Sequence, residues 1–264
     1  RDNASSVFLQ ALQEVLNKNN YQVVIGSHDY QHKKESEVLL TLLQSSPAAL
    51  VIFGAMNSES ALGTLNNLPI PVINVTGDPA HRFTLNIKNN LGEAVSFLTH
   101  YLLQKGHQRI GYIGAQMDSK MQGQQLSGWN NTLLKHNLSA EQSITTPYVA
   151  TMDFGRQAIS EMLTRQPELE AVICSHEMIA LGVMFECQRR LIKIPKMLTV
   201  VGVEGSENCD HIHPSLTSVR IDYSKMARDT AKKLLKWLGD TEESFADIQD
   251  EIVFPYKFEA RQSG

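Results

Sequence analysis

The chain has 264 residues, 42% of them hydrophobic, with a formal charge of −4 and a pI near 6.2. That is enough apolar material for one or two packed domains, and the weakly acidic balance argues against a surface that grips nucleic acid directly. No apolar run approaches the roughly 18 residues needed to cross a bilayer, and no signal peptide is visible at Arg1.

Along the chain, strand and helix signals alternate. Phe8, Leu9, Leu12 and Val15 fall on one face at helical spacing. Val23-Val24-Ile25 reads as a buried strand, and Val38, Leu39, Leu42 and Leu43 mark the next helix. Strands are expected at Leu50-Val51-Ile52-Phe53 and Val72-Ile73, followed by a helix carrying Ala94, Phe97, Leu98, Tyr101 and Leu102. That helix should close at Lys105-Gly106 with a glycine cap. A strand at Ile110-Gly111-Tyr112-Ile113 comes next, then helices near 122–135 and 154–165. Ala171-Val172-Ile173-Cys174, a helix near 178–190, and Val200-Val201-Gly202-Val203 continue the series. A helix over 222–237 and a terminal segment with Ile252-Val253-Phe254 end it. Continuous apolar strands alternating with amphipathic helices predict an α/β fold with parallel sheets. Two sheets suit the number of strands better than one.

In open parallel sheets ligands sit beyond the carboxyl ends of the strands. Here those ends carry Ser27-His28-Asp29, Gly54-Ala55-Met56-Asn57, Asn74-Val75-Thr76, Ala115-Gln116-Met117-Asp118, Ser175-His176-Glu177 and Glu204-Gly205. They are polar and weakly charged, which suits a hydroxyl-rich small molecule. Enzyme signatures are missing: the sequence contains no phosphate loop, no dinucleotide fingerprint and no serine-nucleophile elbow. His211 and His213 beside Asp210 read as a surface turn before Pro214, and His107 as a packing or capping residue. No catalytic group, metal site or cofactor is therefore expected. Cys174, Cys187 and Cys209 show no metal-type spacing and read as buried free thiols, which fits a reducing cytoplasm.

Lys105-Gly106-His107-Gln108-Arg109-Ile110-Gly111-Tyr112-Ile113-Gly114 resembles the helix-to-strand crossover of LacI/GalR-type transcription repressors. Ser127-Gly128-Trp129, Ala180-Leu181-Gly182, Ile194-Pro195, Val200-Val201-Gly202 and Pro214-Ser215-Leu216-Thr217-Ser218-Val219 follow in that family's order. Gly114-Ala115-Gln116-Met117-Asp118, Phe185-Glu186-Cys187-Gln188-Arg189 and Tyr256-Lys257-Phe258-Glu259 are similar to its gluconate-utilisation branch.

The resemblance implies a periplasmic-binding-protein-like fold of type I: two doubly wound parallel-sheet subdomains with a ligand cleft between them. The N-terminal effector subdomain would be 1–105 plus 221–243, and the C-terminal one 106–220 plus 244–264. A helix-turn-helix, a hinge helix and the first core strand would precede Arg1, so the chain is expected to be incomplete. The implied effector contacts are Phe8, Asn74, Lys120, Gln125, His176, Glu204 and Arg220. Gln125 stands where relatives carry an effector-binding arginine, His176 replaces an asparagine and Glu204 an aspartate. Lys120 and Arg220 are then the cations available to an acidic effector.

Each of these residues also has an ordinary alternative: core packing for Phe8, a backbone bond for Asn74, a solvated helix residue for Lys120 or Gln125. For His176 it is a loop hydrogen bond, for Glu204 a turn or helix-terminus carboxylate, and for Arg220 a crossover salt bridge. The implied partners are a sugar or sugar-acid effector, operator DNA through the missing segment, and a second copy of the chain. Residues 89–104 and the helix with Leu62 and Leu65 are the candidate dimer faces; no membrane is involved. A periplasmic sugar-binding protein, a purine- or nucleoside-responsive regulator and a doubly wound enzyme are the competing readings.

Overall fold

The computed structural model of the protein describes residues 3–28, 31–77, 83–116, 120–239 and 250–264. Asp29, Met117, Asp118 and the acidic stretch 240–243 lie outside the described residues. In chain order the elements are α1 (Asn3–Asn17), α2 (Glu35–Leu43), β1 (Leu50–Phe53), α3 (Glu59–Asn66), β2 (Val72–Val75), β3 (Leu85–Asn89) and α4 (Leu91–Gln104). They continue with β4 (Ile110–Gly114), α5 (Lys120–Lys135), β5 (Ser143–Thr145), α6 (Met152–Arg165), β6 (Ala171–Cys174) and α7 (Glu177–Arg189). The last are β7 (Thr199–Gly202), β8 (Thr217–Ile221), α8 (Tyr223–Gly239), β9 (Asp250–Phe254) and β10 (Tyr256–Glu259).

These elements form two compact units, Arg1–Asn89 with Asp222–Phe254, and Asn90–Ile221 with Pro255–Gly264. The first holds a sheet in the order β1-β2-β3-β9, every pairing parallel. Alternate residues of β1 serve its two faces. Leu50 and Ile52 join Leu39 of α2 and Leu62 and Leu65 of α3. On the other side the Phe53 ring lies 5.2 Å from that of Phe8 in α1 and 6.0 Å from that of Tyr223 in α8.

The second unit holds six strands in the order β10-β8-β7-β6-β4-β5, parallel except for β10 at the edge. Ile113, Val172, Cys174 and Val200 point to a core shared with Ile159 and Met162 of α6 and Ile179 and Val183 of α7. On the opposite face Trp129 of α5 donates its indole N–H to the Ile110 carbonyl at 3.2 Å. Helix α4 ends as expected from its glycine: Gly106 has φ +93°, with its N–H on Leu103 O and the His107 N–H on Leu102 O.

Three sequence expectations differ from this architecture. Val23-Val24-Ile25 is not a strand: Val24 and Ile25 are 66% and 50% exposed, and β1 has β2 as its partner. A strand exists only through the ladder it joins, so local β propensity without a neighbour leaves an extended segment. Helix α4, assigned to the first unit from sequence, belongs to the second, because Phe97 and Tyr101 pack edge-on against Phe258 of β10 at 5.0 and 4.8 Å. Strand β9, assigned to the second unit, belongs to the first, where it extends β3 in register from Leu85↔Asp250 to Asn89↔Phe254. Strands β3, β5, β8 and β10 had no apolar run of their own to announce them. The suggested dimer faces are largely internal: Leu62, Leu65, Leu91, Ala94, Val95, Leu98 and Leu102 are all buried.

The chain end is anchored by polar contacts. Arg261 donates to Leu216 O and to Ser218 Oγ and pairs with Asp210 and Glu259. Ser263 donates its hydroxyl to Val200 O at 2.6 Å and accepts from Thr217 N at 2.8 Å. Asp210, drawn into this anchor, has its carboxyl held below the usual range by the Arg261 hydrogen bond. His107 hydrogen-bonds Thr199 Oγ1 at 3.1 Å, and burial lowers its pKa.

Candidate functional site

Left-handed backbone occurs after several helices of this protein and also at the carboxyl ends of four strands. Gly54 after β1, Thr76 after β2, Gln116 after β4 and Glu204 after β7 all have left-handed φ values, +94°, +58°, +54° and +55°. For Thr76, Gln116 and Glu204 that conformation costs on the order of 1–3 kcal/mol each and persists only where the surroundings impose it. Such strain gathers at ligand-binding rims.

In the first unit Asn74 of β2 is buried and donates Nδ2 to Asn86 Oδ1 at 3.0 Å. Gly77 presses on it so closely that a Cβ there would stand 2.2 Å from Asn74 Oδ1 and 2.6 Å from Gly54 O. Glycine is required at 77 by this close approach. Phe8 is buried in the ring stack with Phe53 and Tyr223. Its surroundings are those of a core residue.

In the second unit the end of β4 meets the first turns of α5. Gln122, Gln125 and Trp129 share one helix face at i, i+3 and i+7, and all three are buried. The Tyr112 ring lies 5.8 Å from that of Trp129, and its hydroxyl stands beside Ser175 without closing a hydrogen bond. Burial pushes the phenol well above its ordinary pKa, and the negative charge of Glu204 adds to this. Neither amide atom of Gln125 has a partner, nor does Gln122 Oε1.

The β6–α7 corner supports the same rim. Ser175 Oγ accepts from Ala115 N at 3.2 Å. His176 caps α7, its Nδ1 accepting from Met178 N at 3.1 Å, which leaves Nε2 as the donor of the neutral ring. The buried Glu177 carboxylate accepts from Ser206 N at 2.6 Å and from the Ser206 hydroxyl at 2.9 Å, tying down the loop that carries Glu204. Lys120 opens α5 and is exposed. Arg220 on β8 pairs with Glu259 of β10, its Nε 2.8 Å from the carboxylate.

Of the residues expected from sequence, Gln125 lies on the buried face of α5 one turn before Trp129, Glu204 acts electrostatically on Tyr112, and His176 caps α7. Asn74 and Phe8 lie in the first unit, one bonded within the sheet and one packed in the core. Sequence reasoning did not single out Tyr112, Gln122, Ser175 or Glu177 as site residues. A pair of glutamines at i and i+3 ahead of a buried tryptophan was the available signal, because it places amides on an otherwise apolar helix face. A groove of about 210 Å³ beside α6 and α7, lined by Met152, Asp153, Arg156, Gly182 and Phe185, contains none of the expected residues. Among the described residues no group of three or more His, Cys, Asp or Glu side chains could hold a metal ion. No helix of the described residues is long and apolar enough to cross a membrane.

Known proteins with this architecture agree on its class. Residues 99–263 match the family described as periplasmic binding protein-like domain. The chain is similar to the HTH-type transcriptional regulator IdnR of Escherichia coli, 24% identical over 223 residues, covering 83% of this chain and 67% of that protein. It is 27% identical over 254 residues to the HTH-type transcriptional regulator GntR of Pseudomonas aeruginosa, covering 93% and 72%. Its fold superposes with a TM-score of 0.88 on the crystal structure of a PurR family transcriptional regulator from Vibrio parahaemolyticus, at 32% identity over 99% of this chain and 94% of the other. The chain belongs to the periplasmic binding protein-like family, as the ligand-binding domain of a LacI-family transcriptional regulator.

Proposed function

We propose that the chain is the effector-binding and dimerising part of a DNA-binding repressor that responds to a sugar or to a sugar acid such as gluconate. The observation that carries this reading is the rim of the Asn90–Ile221 unit. There Tyr112 of β4, the buried Gln122 and Gln125 of α5 and Glu204 after β7 supply hydrogen-bonding groups, and the backbone just beyond β4 and β7 is strained. Amides, a phenol and a carboxylate that can each donate to or accept from hydroxyls suit a hydroxyl-rich ligand. The proposed effector contacts are Gln125, His176, Glu204, Lys120 and Arg220 in this unit, and Phe8 and Asn74 in the Arg1–Asn89 unit.

In this reading operator DNA is held by a helix-turn-helix elsewhere in the protein, in keeping with the names of its relatives, and the protein works as a dimer in the cytoplasm. The effector acts by binding one conformation better than another, which changes the spacing of two DNA-binding heads over half-sites about one helical turn apart. Calorimetric titration of the purified domain with gluconate, related sugar acids and neutral sugars tests the ligand class, and sedimentation velocity tests the dimer. Saturable heat with at least one of these compounds is expected. Absence of binding across the whole set refutes a sugar-responsive domain, and a monomer at tens of micromolar refutes the dimer.

A further inference from the structure

Four polar atoms at this rim are buried without partners: Nε2 and Oε1 of Gln125, Oε1 of Gln122 and the Tyr112 hydroxyl. The side chains that bear them are 0%, 4% and 0% exposed for Gln125, Gln122 and Tyr112. An unpartnered buried amide or hydroxyl costs about 1–3 kcal/mol, so native interiors hold few of them and rarely together. These belong to one helix face and the strand beneath it. Trp129 is fixed to the start of β4 through its bond to Ile110 O. Each helical turn back from Trp129 advances about 5.4 Å toward the carboxyl end of that strand. At about 3.3 Å per strand residue, Gln125 therefore stands level with Tyr112 in the middle of β4, and Gln122, a turn further on, nears the end of the strand.

The chemistry of the four atoms specifies what completes them. The two amide oxygens only accept, the amide nitrogen only donates, and the phenol does both. Exchanging the two ends of the Gln125 amide leaves the same demand, because both ends are unpartnered. A carboxylate donates nothing: it would accept from the nitrogen and the phenol but set its negative charge against both carbonyl oxygens. An alcohol hydroxyl donates and accepts, and two neighbouring hydroxyls satisfy the whole set. Glu204 lies close enough to perturb Tyr112, Glu177 is buried on the adjoining corner and Arg220 is ion-paired with Glu259, while Lys120, two residues before Gln122, is a cation at the start of this helix.

We infer that this rim selects an uncharged, polyhydroxylated effector over the corresponding carboxylate, with Tyr112, Gln122 and Gln125 as its specificity-determining residues. The inference rests on the sugar-responsive reading above and narrows its ligand class.

The test uses matched pairs of ligands, each an aldose or alditol with the aldonate of the same carbon skeleton, titrated calorimetrically into the wild-type domain, Tyr112→Phe and Gln125→Met. Both substitutions keep side-chain volume and remove hydrogen-bonding atoms, and thermal melts of the ligand-free variants report on folding. The uncharged member of the best-binding pair is expected to bind at least tenfold tighter than its acid. Each substitution should weaken it about tenfold, the worth of one or two lost hydrogen bonds, without lowering the ligand-free melting temperature. Equal or tighter binding of the acid overturns the inference while leaving the sugar-responsive reading intact. So does unchanged affinity in both variants, which would mean that the four atoms are completed by water alone. Failure of every pair to bind overturns both.

Discussion

Gly182→Ala is a sharp test of how the second unit is packed. An ideal Cβ at Gly182 of α7 would lie 2.0 Å from the Met152 carbonyl oxygen at the start of α6, and one at Gly155 of α6 would lie 2.2 Å from the Ile179 carbonyl oxygen. The two helices thus touch backbone to backbone at two reciprocal points. Side chains essentially never place a Cβ within 3.0 Å of such atoms, so alanine at 182 must drive α6 and α7 apart by about 1 Å. The obstructing atoms are backbone and cannot rotate away, which puts the overpacking cost near the top of its range, about 3 kcal/mol. The gain in helix propensity offsets about 1 kcal/mol of it. A net loss of about 2 kcal/mol remains, lowering the melting temperature by roughly 4–8 °C in a domain of this size.

Gly123→Ala on α5 is the matched control: nothing lies within 4 Å of the added Cβ, so the propensity gain of up to about 1 kcal/mol should appear unopposed. Because Gly155 and Gly182 report on the same helix pair, the double alanine variant should cost less than the sum of the single ones. Urea midpoints with unchanged slopes, supported by thermal melts, read all four proteins. A Gly182→Ala protein as stable as wild type would show that α6 and α7 do not approach this closely.

Other parts of the structure can be tested as directly. Glu186 is buried beneath Arg189 and Arg190, and the hydrogen bonds from Arg189 lead in drawing its pKa down to about 2. Its folded pKa is below its unfolded value, so its stabilising contribution is full above about pH 5 and is lost as the pH falls toward 2. Urea midpoints measured from pH 7 to 3 should show Glu186→Gln losing less stability on acidification than wild type, and parallel curves would refute the pairing. Cys174, Cys187 and Cys209 are free and buried, with burial raising all three pKa values, to about 12 for Cys187 and about 11 for Cys209. A thiol reagent at pH 8 should leave the native protein essentially unlabelled and titrate all three cysteines in denaturant; fast native labelling would contradict their burial. His176→Ala should cost about 1 kcal/mol by removing the cap of α7, whereas His176→Asn should be near neutral. Equal losses in the two variants would mean that the cap contributes nothing.

The sequence alone determined those features that depend on residues close together in the chain. The alternation of apolar strands with amphipathic helices, the Gly106 cap of α4 and the ordered run of family motifs are all short-range patterns, and all correspond to what the fold contains. Tertiary structure decided what depends on distant partners. Val23-Val24-Ile25 has as good a strand composition as β7 but lies outside either sheet, because a ladder neighbour rather than propensity makes a strand. Ring packing of Phe97 and Tyr101 on Phe258 assigned α4, and register with β3 assigned β9. Arg220, readable from sequence as a cation for an acidic ligand, met Glu259, thirty-nine positions away. Gln122, Gln125 and Tyr112 look unremarkable in the chain. Only the burial of all three beside one strand, with four of their polar atoms left unpartnered, sets them apart.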